Sequence, residues 1–111
     1  MQPKDEMFEE PVALVVFGGA GDLARRKLLP ALYNLFLDGL LPPRFAVVGV
    51  GRKSFDDDAY RASTKDGLAR FSRRPIEEAT WTAFAQSLYF VSGSLADSAT
   101  FAALGARLDI I

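Results

Sequence analysis

The sequence predicts an α/β fold built on a parallel sheet, and three observations carry that reading. Val12 to Phe17 is an apolar run rich in β-branched residues that stops at the cluster Gly18-Gly19-Ala20-Gly21. A helix-period pattern begins straight after it, and strand, tight turn and helix in that order is the context a dinucleotide-binding glycine motif needs. Two further apolar runs, Phe45 to Val50 and Leu88 to Val91, follow helical patterns and show no polar alternation. Strands covered on both faces in a parallel sheet read this way. Together these segments give a βαβαβα unit, a Rossmann-like parallel sheet with helices on its faces.

Composition sets the bounds. At 111 residues the chain is one small domain or part of a larger one, and 50% hydrophobic residues are ample for a core. A net charge of −1 argues against a nucleic-acid or polyanion binder. No apolar run approaches the roughly 18–20 residues of a membrane span. Residues 1–11 carry four acidic side chains and no apolar core, so they do not read as a signal peptide. With no cysteine there is no disulfide framework, thiol nucleophile or thiolate metal site, which agrees with a cytoplasmic protein. The absence of histidine removes the commonest general base and metal ligand, so no metal site is expected.

In chain order, residues 1–10 form an acidic lead-in and Val12 to Phe17 the first strand. The helix after the glycines should break or kink near Lys27–Leu29, because Pro30 has no N–H and suits a fresh first turn. Leu28, Leu32, Leu35 and Phe36 make one apolar stripe on it, and Leu29, Tyr33 and Leu37 make another. A helix apolar on two sides is packed on two sides, and the second stripe needs a partner that is not obvious in this chain. Gly39 offers a C-terminal cap, and Pro42-Pro43 leads into the second strand. Ser54, Asp56 and Asp57 are helix-starting residues for a helix with Tyr60, Leu68 and Phe71 that stops by Arg74-Pro75. Ile76 to Ser87 reads as a short helix with Ile76, Trp81, Phe84 and Ala85 inward. After the third strand Asp97 caps a last helix, with Phe101, Leu104 and Leu108 on one face.

The glycine turn carries the chemistry. Glycine permits backbone angles and approaches that a Cβ forbids, so a phosphate can sit against main-chain N–H groups, with the helix N-terminus adding donors and partial positive charge. Two registers fit, Gly18-x-x-Gly21-x-x-Ala24 and Gly19-x-Gly21-x-x-Ala24. Arg25, Arg26 and Lys27 then lie at the positive end of the helix dipole, each unfavourable by roughly 0.3–1 kcal/mol. A local rule broken three times in a row points to a compensating anion. At the tip of the second strand stand Arg52 and Lys53, with no carboxylate before Asp56. An acidic residue there would bind the ribose hydroxyl of NAD, whereas an arginine accommodates the 2′-phosphate of NADP. The cofactor expected is therefore NADP, gripped by the planar fork of Arg52 with Lys53 adding charge.

The run from Gly18 to Tyr33, GGAGDLARRKLLPALY, goes beyond a generic glycine turn. It resembles the N-terminal coenzyme segment of the glucose-6-phosphate dehydrogenase family, where G-x-x-G-D-L-A-x-x-K-L-x-P opens the first helix. The similarity continues through Phe45-Ala-Val-Val-Gly-Val-Gly-Arg52, Asp57-Asp58 and the third strand. By this resemblance Gly18, Ala20, Gly21, Asp22 and Leu23 lie around the coenzyme phosphates, in the register that leaves Gly19 incidental. Arg52 matches the arginine that meets the 2′-phosphate. Lys27 matches a lysine at the active site, near nicotinamide and sugar phosphate, a contact residue and not a base. Asp22 is expected to turn aside from the phosphates, to hold the helix start or to order Lys27.

The family's R-I-D-H-Y-L-G-K-E segment, with its catalytic histidines, has no counterpart here. The resemblance therefore implies that residues 1–111 are a partial Rossmann-like sheet, the N-terminal part of a larger doubly wound NADP-binding domain, about the first quarter of such an enzyme, and inactive alone. The whole enzyme, a cytoplasmic homo-oligomer, would oxidise glucose 6-phosphate to the lactone in the pentose phosphate pathway. A stand-alone NADP-binding regulatory module is the alternative. An extended short-chain reductase would need a Tyr-x-x-x-Lys pair, which neither Tyr33 (then Leu37) nor Tyr60 (then Thr64) supplies. No G-x-x-x-x-G-K-[ST] phosphate loop occurs.

Overall fold

The computed structural model describes residues 11–111, and the acidic lead-in at 1–10 lies outside the described residues. Three parallel strands, β1 (Val12–Phe17), β2 (Phe45–Gly51) and β3 (Leu88–Ser92), form one sheet in the order β1-β2-β3. Val12 pairs with Phe45 and Phe17 with Val50, while Val47 pairs with Leu88 and Gly51 with Ser92. The carboxyl ends of all three strands therefore meet at one end of the sheet.

The first helical stretch opens at Asp22, passes through a π-helical segment at Ala24–Leu28, and continues as α1 (Leu29–Leu37). The expected break near Lys27–Leu29 takes this form. Pro30 has no N–H and its ring would collide with the carbonyl four residues back. Widening the preceding turn, with the Leu29 N–H bonded to the Ala24 carbonyl, relieves both problems without ending the helix. At the other end the helix closes at Gly39, with Leu40 N–H donating to Leu35 O at 2.9 Å. Then come α2 (Asp57–Phe71), α3 (Glu78–Ala85) and α4 (Ser98–Ile110). As the sequence suggests, the Asp56 carboxylate caps α2 at the Ala59 N–H (2.7 Å) and Asp97 caps α4 at Ala99 (3.0 Å).

Strand alternation divides the core in two. Val47, Leu88 and Phe90 face α1, α2 and α3, packing with Leu29, Leu32, Tyr33, Tyr60, Leu68, Trp81 and Phe84. Val48, Val50 and Val91 face the other way, onto Leu104 of α4. Three helices thus cover one face, and the chain changes face after β3.

Three expectations need correction. The Leu29–Tyr33–Leu37 stripe does have a partner in this chain: α3. Tyr33 is 0% exposed and lies 5.4 Å edge-on from Phe84 and 6.3 Å from Trp81, while Leu29 is 2% exposed. The short α3 lacks a long periodic signal of its own, which hides this packing in the sequence. Secondly, β1 is an edge strand, so Val12, Leu14 and Phe17 are exposed although the run reads as doubly covered. Thirdly, of the three apolar residues on the α4 face only Leu104 is buried. Phe101 and Leu108 stay exposed because α4 packs chiefly on β3.

Candidate functional site

The site is the glycine turn, Gly18 to Gly21, where β1 ends and the helix begins. Gly18 has φ 75°, in the left-handed region that a side chain disfavours, and its N–H donates to the Val50 carbonyl at 2.8 Å. That bond ties the turn to the tip of β2. Gly21 N–H returns to the Gly18 carbonyl at 2.8 Å, and Gly19 N–H makes a longer bond of 3.3 Å to Val50 O. With those three spent internally, the N–H groups of Ala20, Asp22 and Leu23 have no backbone acceptor among the described residues. A helix N-terminus with open donors and the positive end of a dipole suits an anion.

Gly19 is not incidental to this turn. It is buried, and a Cβ there would lie 2.6 Å from Gly49 Cα, 3.0 Å from the Val16 carbonyl oxygen and 3.1 Å from the Tyr60 hydroxyl. Close approach of the turn to β2 demands glycine on both sides. The Tyr60 hydroxyl donates to the Gly19 carbonyl at 3.1 Å, and burial pushes its pKa up from 10.0 to about 12. In the sequence Tyr60 reads only as a helix position alongside Leu68 and Phe71. The signal that could have found it is Gly49, an isolated glycine inside an apolar strand, which marks a close approach.

The three cations after the turn divide. Arg25 pairs with Asp66 of α2, and Arg26 pairs with Asp22 at 2.9 Å. Both guanidinium groups also lie over the Phe71 ring, at 5.7 and 4.9 Å from its centre. Two of the three charges are thus compensated inside the chain, which corrects the inference that all three await an anion. Asp22 engages Arg26 and not Lys27. Lys27 has no ion-pair partner among the described residues. It borders a cleft of about 450 Å³ beside the end of β1, together with Phe17, Gly18 and the 76% exposed Leu23.

Arg52 and Lys53 follow Gly51, the last residue of β2, and are exposed. Since Phe17 pairs with Val50, they stand beside the glycine turn. Neither has an ion-pair partner among the described residues, and the Lys53 ammonium lies 5.5 Å from the centre of the Phe55 ring. The loop is anchored from behind, for the Lys53 carbonyl accepts both Phe55 N–H (2.9 Å) and the Ser92 hydroxyl (2.6 Å). A second hollow, of about 500 Å³, lies at the opposite end of the sheet among Val12, Pro42, Arg44 and Phe45. Open α/β sheets bind ligands at the carboxyl ends of their strands, and the glycine turn with its open donors and cations is at that end.

An open parallel sheet, a left-handed glycine at the first strand–helix turn and exposed cations at the second strand tip define a nucleotide-binding α/β domain. The family described as glucose-6-phosphate dehydrogenase, NAD binding domain, matches residues 15–110. The chain belongs to that family. Among its relatives, glucose-6-phosphate 1-dehydrogenase of Dickeya dadantii is 43% identical over 96 residues, 86% of this chain and 20% of the relative. The Leuconostoc mesenteroides enzyme of the same name is 35% identical over 99 residues, 88% of this chain and 20% of the relative. The chain thus spans about a fifth of the length of these relatives. Among solved structures, glucose-6-phosphate 1-dehydrogenase from Mycobacterium avium superposes with a TM-score of 0.79 at 24% identity, covering 88% of this chain and 21% of that one. A glucose-6-phosphate dehydrogenase in complex with its substrate gives 0.80 at 24% identity, covering 92% and 21%. At that identity the structural likeness speaks for the fold.

Proposed function

We propose that this chain is the N-terminal, NADP-binding part of a glucose-6-phosphate dehydrogenase, and that residues 1–111 belong to one coenzyme domain. One juxtaposition carries the reading: N–H donors of the glycine turn lie beside two exposed cations at the neighbouring strand tip. A dinucleotide 2′-phosphate is a dianion that Arg52 can grip through two parallel N–H bonds, with Lys53 as a point charge. The pyrophosphate would lie against the turn formed by Gly18, Gly19, Ala20, Gly21, Asp22 and Leu23. NADP, when bound, supplies the hydride acceptor for oxidation of glucose 6-phosphate to its lactone, the oxidative entry to the pentose phosphate pathway, in the cytoplasm. This chain's own residues bind and orient the coenzyme. Lys27, facing the cleft beside β1, would hold an oxygen of the sugar phosphate, and its task is contact rather than proton transfer.

The arrangement predicts that NADP is preferred to NAD. Charge-assisted phosphate contacts are worth about 1.5–3 kcal/mol, roughly ten- to a hundredfold in affinity. Titrating wild type and Arg52→Ala with both coenzymes should show that loss for NADP and almost none for NAD. Equal losses would reject the 2′-phosphate role.

A further inference from the structure

We infer that Tyr60 is a positioning residue for the glycine turn: by holding the Gly19 carbonyl, its hydroxyl aims the Ala20 N–H outward as a donor to the coenzyme pyrophosphate. The inference rests on the glycine turn being the dinucleotide site. A trans peptide sets its C=O and N–H on opposite sides, and the described residues contain no cis bond. The carbonyl of Gly19 and the N–H of Ala20 belong to one such unit. Tyr60, 1% exposed on α2, donates to that carbonyl at 3.1 Å, which points the Ala20 N–H away from α2. The preceding peptide is tied too, since Gly19 N–H donates to Val50 O. Ala20 N–H is itself one of the donors with no backbone acceptor among the described residues.

The phenol has little room to shift. Its ring centre lies 4.9 Å from that of Phe90 and 6.5 Å from that of Phe55. A Cβ on Gly49 would come within 2.8 Å of both its Cζ and its hydroxyl. Burial keeps the hydroxyl protonated, and so a donor, well above neutral pH. A phenylalanine would fill the same space and leave the carbonyl unheld. A group that only satisfies a buried carbonyl would affect stability alone, whereas a positioning group also affects the one ligand moiety that meets the Ala20 N–H.

The test compares Tyr60→Phe with wild type, well below either melting temperature, using NADP, NAD and adenosine 2′-monophosphate. The last has the 2′-phosphate for Arg52 but no pyrophosphate. Tyr60→Phe should weaken NADP and NAD alike, by about three- to tenfold, and leave adenosine 2′-monophosphate unchanged. Unchanged affinity for all three overturns the inference, as does an equal loss for all three. Amide resonances of the wild type give an answer that does not need the variant to fold. NADP should shift the Ala20 N–H signal strongly, and adenosine 2′-monophosphate should not; an unmoved Ala20 signal in saturating NADP overturns the inference. A wild type that binds neither dinucleotide instead overturns the nucleotide reading beneath it.

Discussion

Tyr60 and Tyr33 are both sealed in the same core cluster, yet their hydroxyls live in different surroundings. Tyr60 has a carbonyl to bond, and Tyr33 has no hydrogen-bond partner among the described residues. For Tyr60 the consequence is a pH dependence with a definite sign. Its pKa is raised from 10.0 to about 12 in the fold because burial penalises the phenolate. The folded state therefore holds its proton more tightly than the unfolded chain does. The stability linked to this group is fully present below pH 10 and is lost as pH rises through 12. A shift of that size corresponds to about 3 kcal/mol. Urea midpoints of wild type should accordingly fall more steeply between pH 10 and pH 12 than those of Tyr60→Phe. Parallel profiles would show that Tyr60 ionises without opposing the fold. The sequence distinguishes neither tyrosine from the other, since each reads as an apolar position on a helix. What differs is the partner across the interface, forty-one residues away in the case of Gly19 and Tyr60.

At the scale of elements, the parts legible in the sequence were those written in local chemistry. The glycine turn, the helix-starting aspartates, the Pro30 disturbance and Gly39 each depend on a few adjacent residues, and each appears where expected. What stayed hidden depends on two segments meeting. Examples are Tyr33 against Phe84, Arg25 with Asp66, and the two outer edges of the sheet. The outer edge of β3 is closed by side chains of α2: the Asp57 carboxylate accepts Phe90 N–H at 2.9 Å and Arg61 donates to the Leu88 carbonyl at 3.0 Å. Asp57 also pairs with Arg107 of α4, so one carboxylate joins a helix start, a strand and the opposite layer. An edge treated this way is protected from further pairing. The α2 element thus both closes the sheet and presents Tyr60 to the turn, so weakening its start should be measurable. Asp56→Ala removes the cap on Ala59 N–H and should cost about 1 kcal/mol in urea unfolding. A loss below about 0.3 kcal/mol would mean that the tertiary contacts of Asp57 and Arg61 hold the start unaided.

At the scale of the molecule, an apolar surface is left exposed at β1 among the described residues. Val12, Leu14 and Phe17 are exposed there, and Phe101, Leu108 and Ile110 of α4 are exposed as well, with the Phe17 and Phe101 rings 6.5 Å apart. This face, and not the α1 stripe, is where an apolar dye or a second copy should adhere to the isolated chain. The same end of the sheet bears on whether residues 1–111 can act as a dehydrogenase. Oxidising a sugar hydroxyl needs its proton removed, and a base within hydrogen-bond reach is normally worth about 10²–10⁴-fold. The chain has no histidine. The carboxylates around the turn are engaged elsewhere, Asp22 with Arg26 and Asp66 with Arg25 and Arg70. The cleft that Lys27 borders is lined by apolar residues, Gly18 and the lysine itself, with no carboxylate among them. Among the described residues lining that cleft, none is a carboxylate or histidine that could take the proton. The expected outcome is coenzyme binding without turnover. Purified residues 1–111, assayed at high concentration with glucose 6-phosphate and NADP, should show no reduction of the coenzyme above the background without protein. Activity that stays with the protein through successive purification steps, and disappears in Lys27→Ala, would overturn this and would require a base in the cleft.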